Sequence, residues 1–419
     1  MRRALLCLGA AVGLLACQPV QSAPYDVLHH FELTSTNGSD PWGGALVVSG
    51  GMLYGMTPYG GGGGGGAVFR MKLDGSDYEH LHDFTGGPDD GYRPHGQVTL
   101  SGGKLYGMTE LGGNDNMGVV FEMGIDGSDY TLRHEFTGAP NDGGGPWGSL
   151  ALQGGKLYGM TRQGGSYLSG YGTIFRMDPD GSNYEVLHSF AGPDDGYGPY
   201  GSVTVNGDVV YGMTYGGGFT QAQYGVVFRM DADGGNYEVL KEFTPALVDP
   251  EDPYGSLCLV DGRLYGMAHW GGDGGNQGGL VFGLDTDGDN YDVLHAFAPS
   301  PDIHWPFGSL IADGDTLYGM ASRGGASDAG AIFSITTAGA AYTLVHEFAG
   351  YPTDGTEARG DLTLHNGVLY GMTMAGGEND DGIIFGLALR TQDDLIPEPG
   401  TLSLLILGGI GVLARRRRR

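Results

Sequence analysis

Short apolar runs separated by glycine-rich breaks recur along nearly the whole chain. The clearest is Leu53-Tyr54-Gly55-Met56, whose Tyr-Gly-Met core returns at Tyr106, Tyr158, Tyr211, Tyr265, Tyr318 and Tyr370. Successive copies lie 52, 52, 53, 54, 53 and 52 residues apart. Such a period marks a solenoid, a propeller or an array, in which a unit buries its apolar faces only by stacking on its neighbours. Each unit holds four segments of strand character. In the third they are Ser149-Leu150-Ala151-Leu152, Lys156 to Thr161, Thr173 to Met177 and Tyr184 to Phe190. Gly154-Gly155 and Asp180-Gly181 have the chemistry of two-residue hairpins, while Gly164-Gly165 opens a longer, variable loop.

The two ends of the repeat predict how it closes. A Tyr-x-x-Leu-His strand occurs first at Tyr25 to Phe31, before any Tyr-Gly-Met strand, and none follows the last apolar segment, Ile383 to Leu389. The last unit is therefore one strand short and the N-terminus has one to spare. The pattern predicts an all-β fold over residues 24–390, a seven-bladed β-propeller of four-stranded antiparallel blades. Tyr25 to Phe31 would supply the outermost strand of blade seven, leaving no sheet without its partner. A parallel β-helix is the alternative, but its repeats are shorter and lack hairpin turns.

Composition agrees with many short strands and tight turns. Glycine makes up 84 of 419 residues, without a Gly-X-Y period, which excludes collagen. The formal charge is −28, and seven of the 21 basic residues, Arg2, Arg3 and Arg415 to Arg419, lie in terminal segments that look removable. So acidic a body repels phosphate backbones, and nucleic acid is not expected as a partner. Of the three cysteines, Cys7 and Cys17 fall in the leader, leaving Cys258 alone in the body.

Residues 1–23 read as a secretory signal peptide, with Arg2 and Arg3 ahead of an apolar run too short to span a bilayer. Leu14-Leu15-Ala16-Cys17 resembles a bacterial lipobox, which would acylate Cys17. Ordinary cleavage near Ser22 or Ala23 is the reading taken. Residues 391–419 form a polar linker, then Pro397-Glu398-Pro399, an apolar run from Leu402 to Leu413 and the terminal arginines. This looks like a tail anchor, its end held on the cytoplasmic side by the arginines.

Pro-Glu-Pro, a short apolar helix and an arginine cluster, in that order, resemble the PEP-CTERM sorting signal of Gram-negative bacteria. The resemblance implies an exosortase-type processing enzyme and membrane contact only through the tail before its removal. Delivery to the cell surface or an exopolysaccharide matrix would follow. The body's Leu-Tyr-Gly-Met-Thr, Gly-Gly and Gly-x-Val-Phe-Arg segments resemble the tandem GloVer repeat, found in surface proteins that share the repeat but carry differing anchors. That resemblance implies no activity. More distantly the pattern is similar to kelch propellers, although the kelch tryptophan is absent and Tyr184 and its equivalents stand nearby.

Candidate chemistry lies in the columns of the repeat. His29, His82, His134, His188, His295 and His346, with Lys241 in the seventh place, would be spread around the circumference, as a repeated structural hydrogen bond rather than one metal site. Turn chemistry accounts for acidic hairpins such as Asp285-Thr286-Asp287-Gly288-Asp289. Calcium is the alternative there, at Asp285, Asp287 and Asp289, but the glycine is misplaced for an EF-hand loop. No other cofactor is implied.

A variable column precedes each first strand: Trp42, His95, Trp147, Tyr200, Tyr254, Phe307 and Arg359. These groups could ring one mouth of the channel and bind sugar rings or a peptide; the competing account is packing between blades. The loop after Met-Thr is the other variable place, and includes Glu110, Arg162, Tyr215, His269 and Trp270. Blades five and six break the symmetry most, with Cys258, His269, Trp270, His304 and Trp305. No nucleophile elbow, zinc motif or P-loop is present. The expectation is a non-enzymatic surface or matrix propeller that binds or organises exopolysaccharide or another surface component. A glycan-active hydrolase or lyase is the alternative, and a purely structural matrix protein the third.

Overall fold

The computed structural model describes residues 25–389, apart from 168–169, 219–223, 245–248, 273–277 and 299–301. Residues 1–23, read as a signal peptide, with Cys17, and Pro397-Glu398-Pro399 lie outside the described residues. Seven four-stranded antiparallel sheets follow one another in chain order. In blade three the strands are Ala151–Gln153, Lys156–Thr161, Thr173–Met177 and Glu185–Ser189, in that order across the sheet. Gly154 and Gly155 take φ of 59° and 77°, as a two-residue hairpin with the right twist requires.

The last blade closes the ring as the sequence predicts. Tyr25–His30 is its outermost strand and pairs antiparallel with Ile383–Ala388, from Tyr25 opposite Leu387 to His30 opposite Ile383. The strand stops one residue short of Phe31, which is fully buried between blades seven and one.

The Tyr-Gly-Met signature has a packing cause. Gly159 pairs with Phe175 of the adjoining strand, and a Cβ on Gly159 would lie 2.6 Å from the tip of that ring. The tip of the phenylalanine ring takes up the place of the missing Cβ in every blade. Apolar side chains from facing sheets then fill seven separate wedges. One of them joins Met108, Val120 and Phe136 of blade two to Leu150, Leu157 and Phe175 of blade three.

The histidine column forms a clasp between blades. His134 stacks on Tyr184 of the next blade at 3.6 Å and bonds the Asp142 carboxylate at 3.1 Å; Tyr184 donates its hydroxyl to the same carboxylate. Burial alone would raise Asp142. The bonds from His134 and Tyr184 outweigh it and hold the carboxyl below its usual range. His82 with Tyr130 and His188 with Tyr237 repeat the stack. Where the histidine is missing, Lys241 lies 4.7 Å from the centre of the Tyr291 ring and 3.5 Å from Asp249. This is the repeated structural contact expected of the column.

Candidate functional site

Two variable stretches of each repeat meet at one mouth of the propeller. The segment leading into a blade pairs with the loop after that blade's Met-Thr or Met-Ala, through ladders only two residues long. Gly143–Gly144 pairs with Gln163–Gly164, and Pro250–Glu251 with Trp270–Gly271; His304 makes a single bridge to Arg323. A left-handed residue follows each ladder: Asp40, Arg93, Gly145, Gly198, Asp252, Trp305 and Glu357, with φ between 50° and 62°. Five of the seven are not glycine, and Trp305 is bulky. Holding such residues there costs about 1–3 kcal/mol each, the kind of strain that gathers at binding sites.

Behind this column the backbones touch around the axis. A Cβ on Gly148 would lie 2.3 Å from the carbonyl oxygen of Gly201, and the same contact recurs around the ring until Gly360 meets Gly44 at 2.6 Å. Blade one carries one residue more, because Gly43, at φ 79°, is inserted between Trp42 and the ring glycine Gly44. The insertion lifts Trp42 out of the column and lays it across the axis. Its ring centre is 6.3 Å from both Trp147 of blade three and Phe307 of blade six, with the Arg359 guanidinium 4.3 Å away. The space left beside this plug is about 30 Å³, enough for one or two waters.

This corrects the picture of seven equivalent groups around an open mouth. Trp147, Tyr200, Tyr254, Phe307 and Arg359 form the wall, and Trp42 plugs it. His95 is buried behind Trp147, stacked on it at 3.8 Å, as the packing account has it.

The wall continues into an aromatic surface. Ring centres are separated by 5.3 Å from Trp147 to Tyr200, 5.1 Å from Tyr200 to Tyr254 and 5.3 Å from Tyr254 to Phe307. Tyr215 packs on Tyr200 and Tyr254; His269 lies 3.9 Å from Phe307, and Trp270 5.3 Å from Trp305. All four tryptophans of the chain, Trp42, Trp147, Trp270 and Trp305, therefore share this mouth, and all four are half-buried. Of the set that breaks symmetry in blades five and six, His269, Trp270, His304 and Trp305 come together. Cys258 packs instead in the core between those blades, where burial pushes its thiol up to about 11.

Charged groups are fixed among the rings. Arg162 lies over Trp147 at 4.8 Å and bonds Glu110 at 3.0 Å, and Glu110 bonds His95 at 3.1 Å. Burial would raise Glu110, but the bond from His95 and the arginine charges keep it below the usual range; His95 itself is lowered by burial. Arg359 pairs with Glu357 at 2.7 Å, and Arg323 bonds the same carboxylate. Burial, with the charges of Arg359 and His304, drives His269 down to about 3, so it is neutral at ordinary pH. Asp252, beside Tyr215 and Tyr254, is pushed up to about 6 by burial and by Glu251.

The acidic hairpin of blade five is arranged differently. Asp285 accepts a bond from Asn290 at 2.6 Å and faces Arg263 at 3.8 Å, while Asp287 accepts from the backbone of Asp289 at 3.1 Å. The three carboxylates do not converge, and among the described residues no three metal-ligating side chains do. Asp40, Arg93, Asp252 and Glu357 escaped the sequence reading as site residues. Their signal was the place just before the segment of the variable column, which is Pro-aromatic-Gly after Asp40, Arg93 and Asp252 and Ala-Arg-Gly after Glu357.

No curated protein matches the chain. Several solved structures share its fold. An oligogalacturonate lyase from Vibrio parahaemolyticus is 9% identical with a TM-score of 0.53, over 88% of this chain and 98% of that one. An oligogalacturonate lyase in complex with manganese is 10% identical with a TM-score of 0.50, over 88% and 97%. A chain of a nidogen/laminin complex is 13% identical with a TM-score of 0.41, over 70% and 91%. At these identities the likeness to the two lyases is one of fold. The family model of the Gloeobacter/Verrucomicrobia repeat matches residues 17–223 and 219–394. The tandem unit read from the sequence is that repeat, and the chain belongs to the Gloeobacter/Verrucomicrobia repeat family.

Proposed function

We propose that the protein is an exported, non-enzymatic propeller of the cell surface or extracellular matrix, which holds polysaccharide or another surface component on its aromatic mouth. One observation carries this reading: a chain with only four tryptophans gathers all of them, half-buried, on one face. Half-exposed rings offer flat apolar surface to the C–H face of a sugar, and the adjoining Arg162, Arg359 and Glu357 supply hydrogen-bonding groups beside it. Because Trp42 closes the axis, the ligand lies across the mouth and does not thread it. The leader, Pro397-Glu398-Pro399 and the terminal arginines supply the route: export, then recognition by an exosortase-type enzyme in a Gram-negative cell, then release from the membrane tail.

The test is retention of the purified full-length chain on immobilised matrix polysaccharide and on a glycan array. Trp147→Ala and Tyr254→Ala should each abolish retention while leaving the β-sheet circular dichroism intact. Retention by both variants at the level of the unchanged protein would remove the proposed site.

A second reading, a glycan-active enzyme, rests on Asp252. A carboxyl raised to about 6 on an aromatic floor has the protonation a general acid needs, and two proteins of similar fold are oligogalacturonate lyases. Turnover of a bound oligosaccharide, lost in Asp252→Asn with binding retained, would favour it.

A further inference from the structure

We propose that the channel holds a second site on the far side of the aromatic plug, where Asp361 and a ring of serine hydroxyls receive an alkylammonium group, a protonated primary amine on an apolar stem. The axis-facing edges of the innermost strands leave backbone N–H groups without a sheet partner. In five of the seven blades the residue after the ring glycine takes up that N–H from the preceding blade. Gln97 N donates to Ser149 Oγ, Ser149 N to Ser202 Oγ, Ser202 N to Ser256 Oγ and Ser256 N to Ser309 Oγ, each at 2.8 Å. Ser309 N donates to Asp361 Oδ1 at 2.5 Å.

Serine performs this task in four blades. Asp361 performs it in blade seven with an additional oxygen and a charge, and the next member of the ring, Ala45, carries no polar side chain. Arg359, two residues earlier, is engaged by Glu357 at 2.7 Å, and burial raises the carboxyl of the half-buried Asp361. Bonds from the backbone and side chain of Ser309 offset that rise only in part, and once ionised Asp361 meets no cationic side chain among the described residues, so a cation from solution would hold it in its charged form.

The cavity below the ring measures about 540 Å³, within the range of small-molecule sites. Val47, Leu100, Ala151 and Leu152 line it together with Gln97, Thr99, Ser256, Ser309 and Asp361. An ammonium group has three N–H donors. The second Asp361 oxygen and the spare lone pairs of Ser256 and Ser309 offer three acceptors. The apolar sides suit methylene groups, as they would not suit a hydrated metal, and one carboxylate falls short of the oxygen shell that calcium gathers.

The test is calorimetric titration of the full-length chain with n-hexylammonium chloride at pH 7.5, with n-hexanol and calcium chloride as controls. Asp361→Ser installs the residue of the four other blades and keeps an acceptor for Ser309 N–H, so the fold is retained. Saturable one-to-one binding of the amine is expected, tighter than that of hexanol, weakened about tenfold or more in Asp361→Ser and unaffected by Trp147→Ala at the other mouth. Absence of saturable amine binding, equal affinity in Asp361→Ser, equal affinity for hexanol, or calcium binding that excludes the amine would each overturn the proposal.

Discussion

The hydroxyl of Tyr25 donates to the carboxylate of Asp354 at 2.5 Å across 329 positions of chain, while its ring stacks on His346 at 3.7 Å. The first described residue thereby makes, with blade six, the clasp that Tyr184 makes with blade two in mid-chain. Removing residues 25–31 should leave the edge of Ile383–Ala388 open and yield protein that aggregates or unfolds. Tyr25→Phe, which keeps the stack and loses the hydroxyl, should cost about 1–2 kcal/mol in urea denaturation. A soluble, cooperatively folding truncation would show that the ring closes in some other way.

The glycines of the axial ring and of the Tyr-Gly-Met strands are placed by contact. Gly255→Ala would set a methyl group 2.2 Å from the carbonyl oxygen of Gly308, and Gly212→Ala would set one 2.4 Å from the Phe228 ring. Each should lower stability by about 1–3 kcal/mol, since these neighbours are backbone or fully packed. Thermal or urea unfolding with no loss would show that neighbouring blades can part at Gly255 and that the Phe228 ring can move aside at Gly212.

Two carboxyls on the mouth oppose folding above mildly acidic pH. Burial, with Asp381, Asp380 and Glu357 nearby, pushes Asp40 up to about 6 from 3.8, and Asp252 is raised to about 6 as well. A carboxyl raised in the folded chain keeps its proton where the unfolded chain has lost it. The stability these two groups contribute is therefore present below pH 3.8 and is lost as pH rises through about 6. Asp40→Asn and Asp252→Asn should each stabilise the protein at pH 7.5 by about 1 kcal/mol, after discounting for solvent screening, and change little at pH 4. Asp142 is depressed, so Asp142→Asn should do the reverse and cost stability at pH 7.5. Urea denaturation at the two pH values checks all three signs.

Trp42 and Phe175 separate binding from support. Phe175 is fully buried in a wedge between blades, so Phe175→Ala should cost about 3–5 kcal/mol. Trp42 is half-buried on the axis, and Trp42→Ala should cost clearly less while weakening retention on polysaccharide. Equal stability losses, with retention unchanged in Trp42→Ala, would make the plug a packing residue.

The blades were legible because their causes are local. Gly154-Gly155 dictates a hairpin, and the recurrence of Tyr-Gly-Met with Val-Phe fixes which strands face each other. The unmatched strand at Tyr25 even revealed the closure. The mouth was harder to read. Trp42 stands beside a proline just as Trp147 does, but the inserted Gly43 decides which glycine joins the ring, and only the packed axis shows that Gly44 does. Ladders two residues long have no periodicity to detect, so the junction of Tyr254 with His269 was hidden. Asp361 was concealed by its column, where it passes for one more cap in place of serine.

The central claim is that the aromatic mouth is the binding surface, and intrinsic tryptophan fluorescence tests it most directly. Because Trp42, Trp147, Trp270 and Trp305 are the chain's four tryptophans and all line this mouth, its emission reports on that face alone. Titration with soluble matrix polysaccharide fragments should change the emission saturably, with the same midpoint as calorimetric binding, and Tyr254→Ala should abolish both signals. Calorimetric binding that leaves the emission unchanged would place the ligand elsewhere and contradict the account.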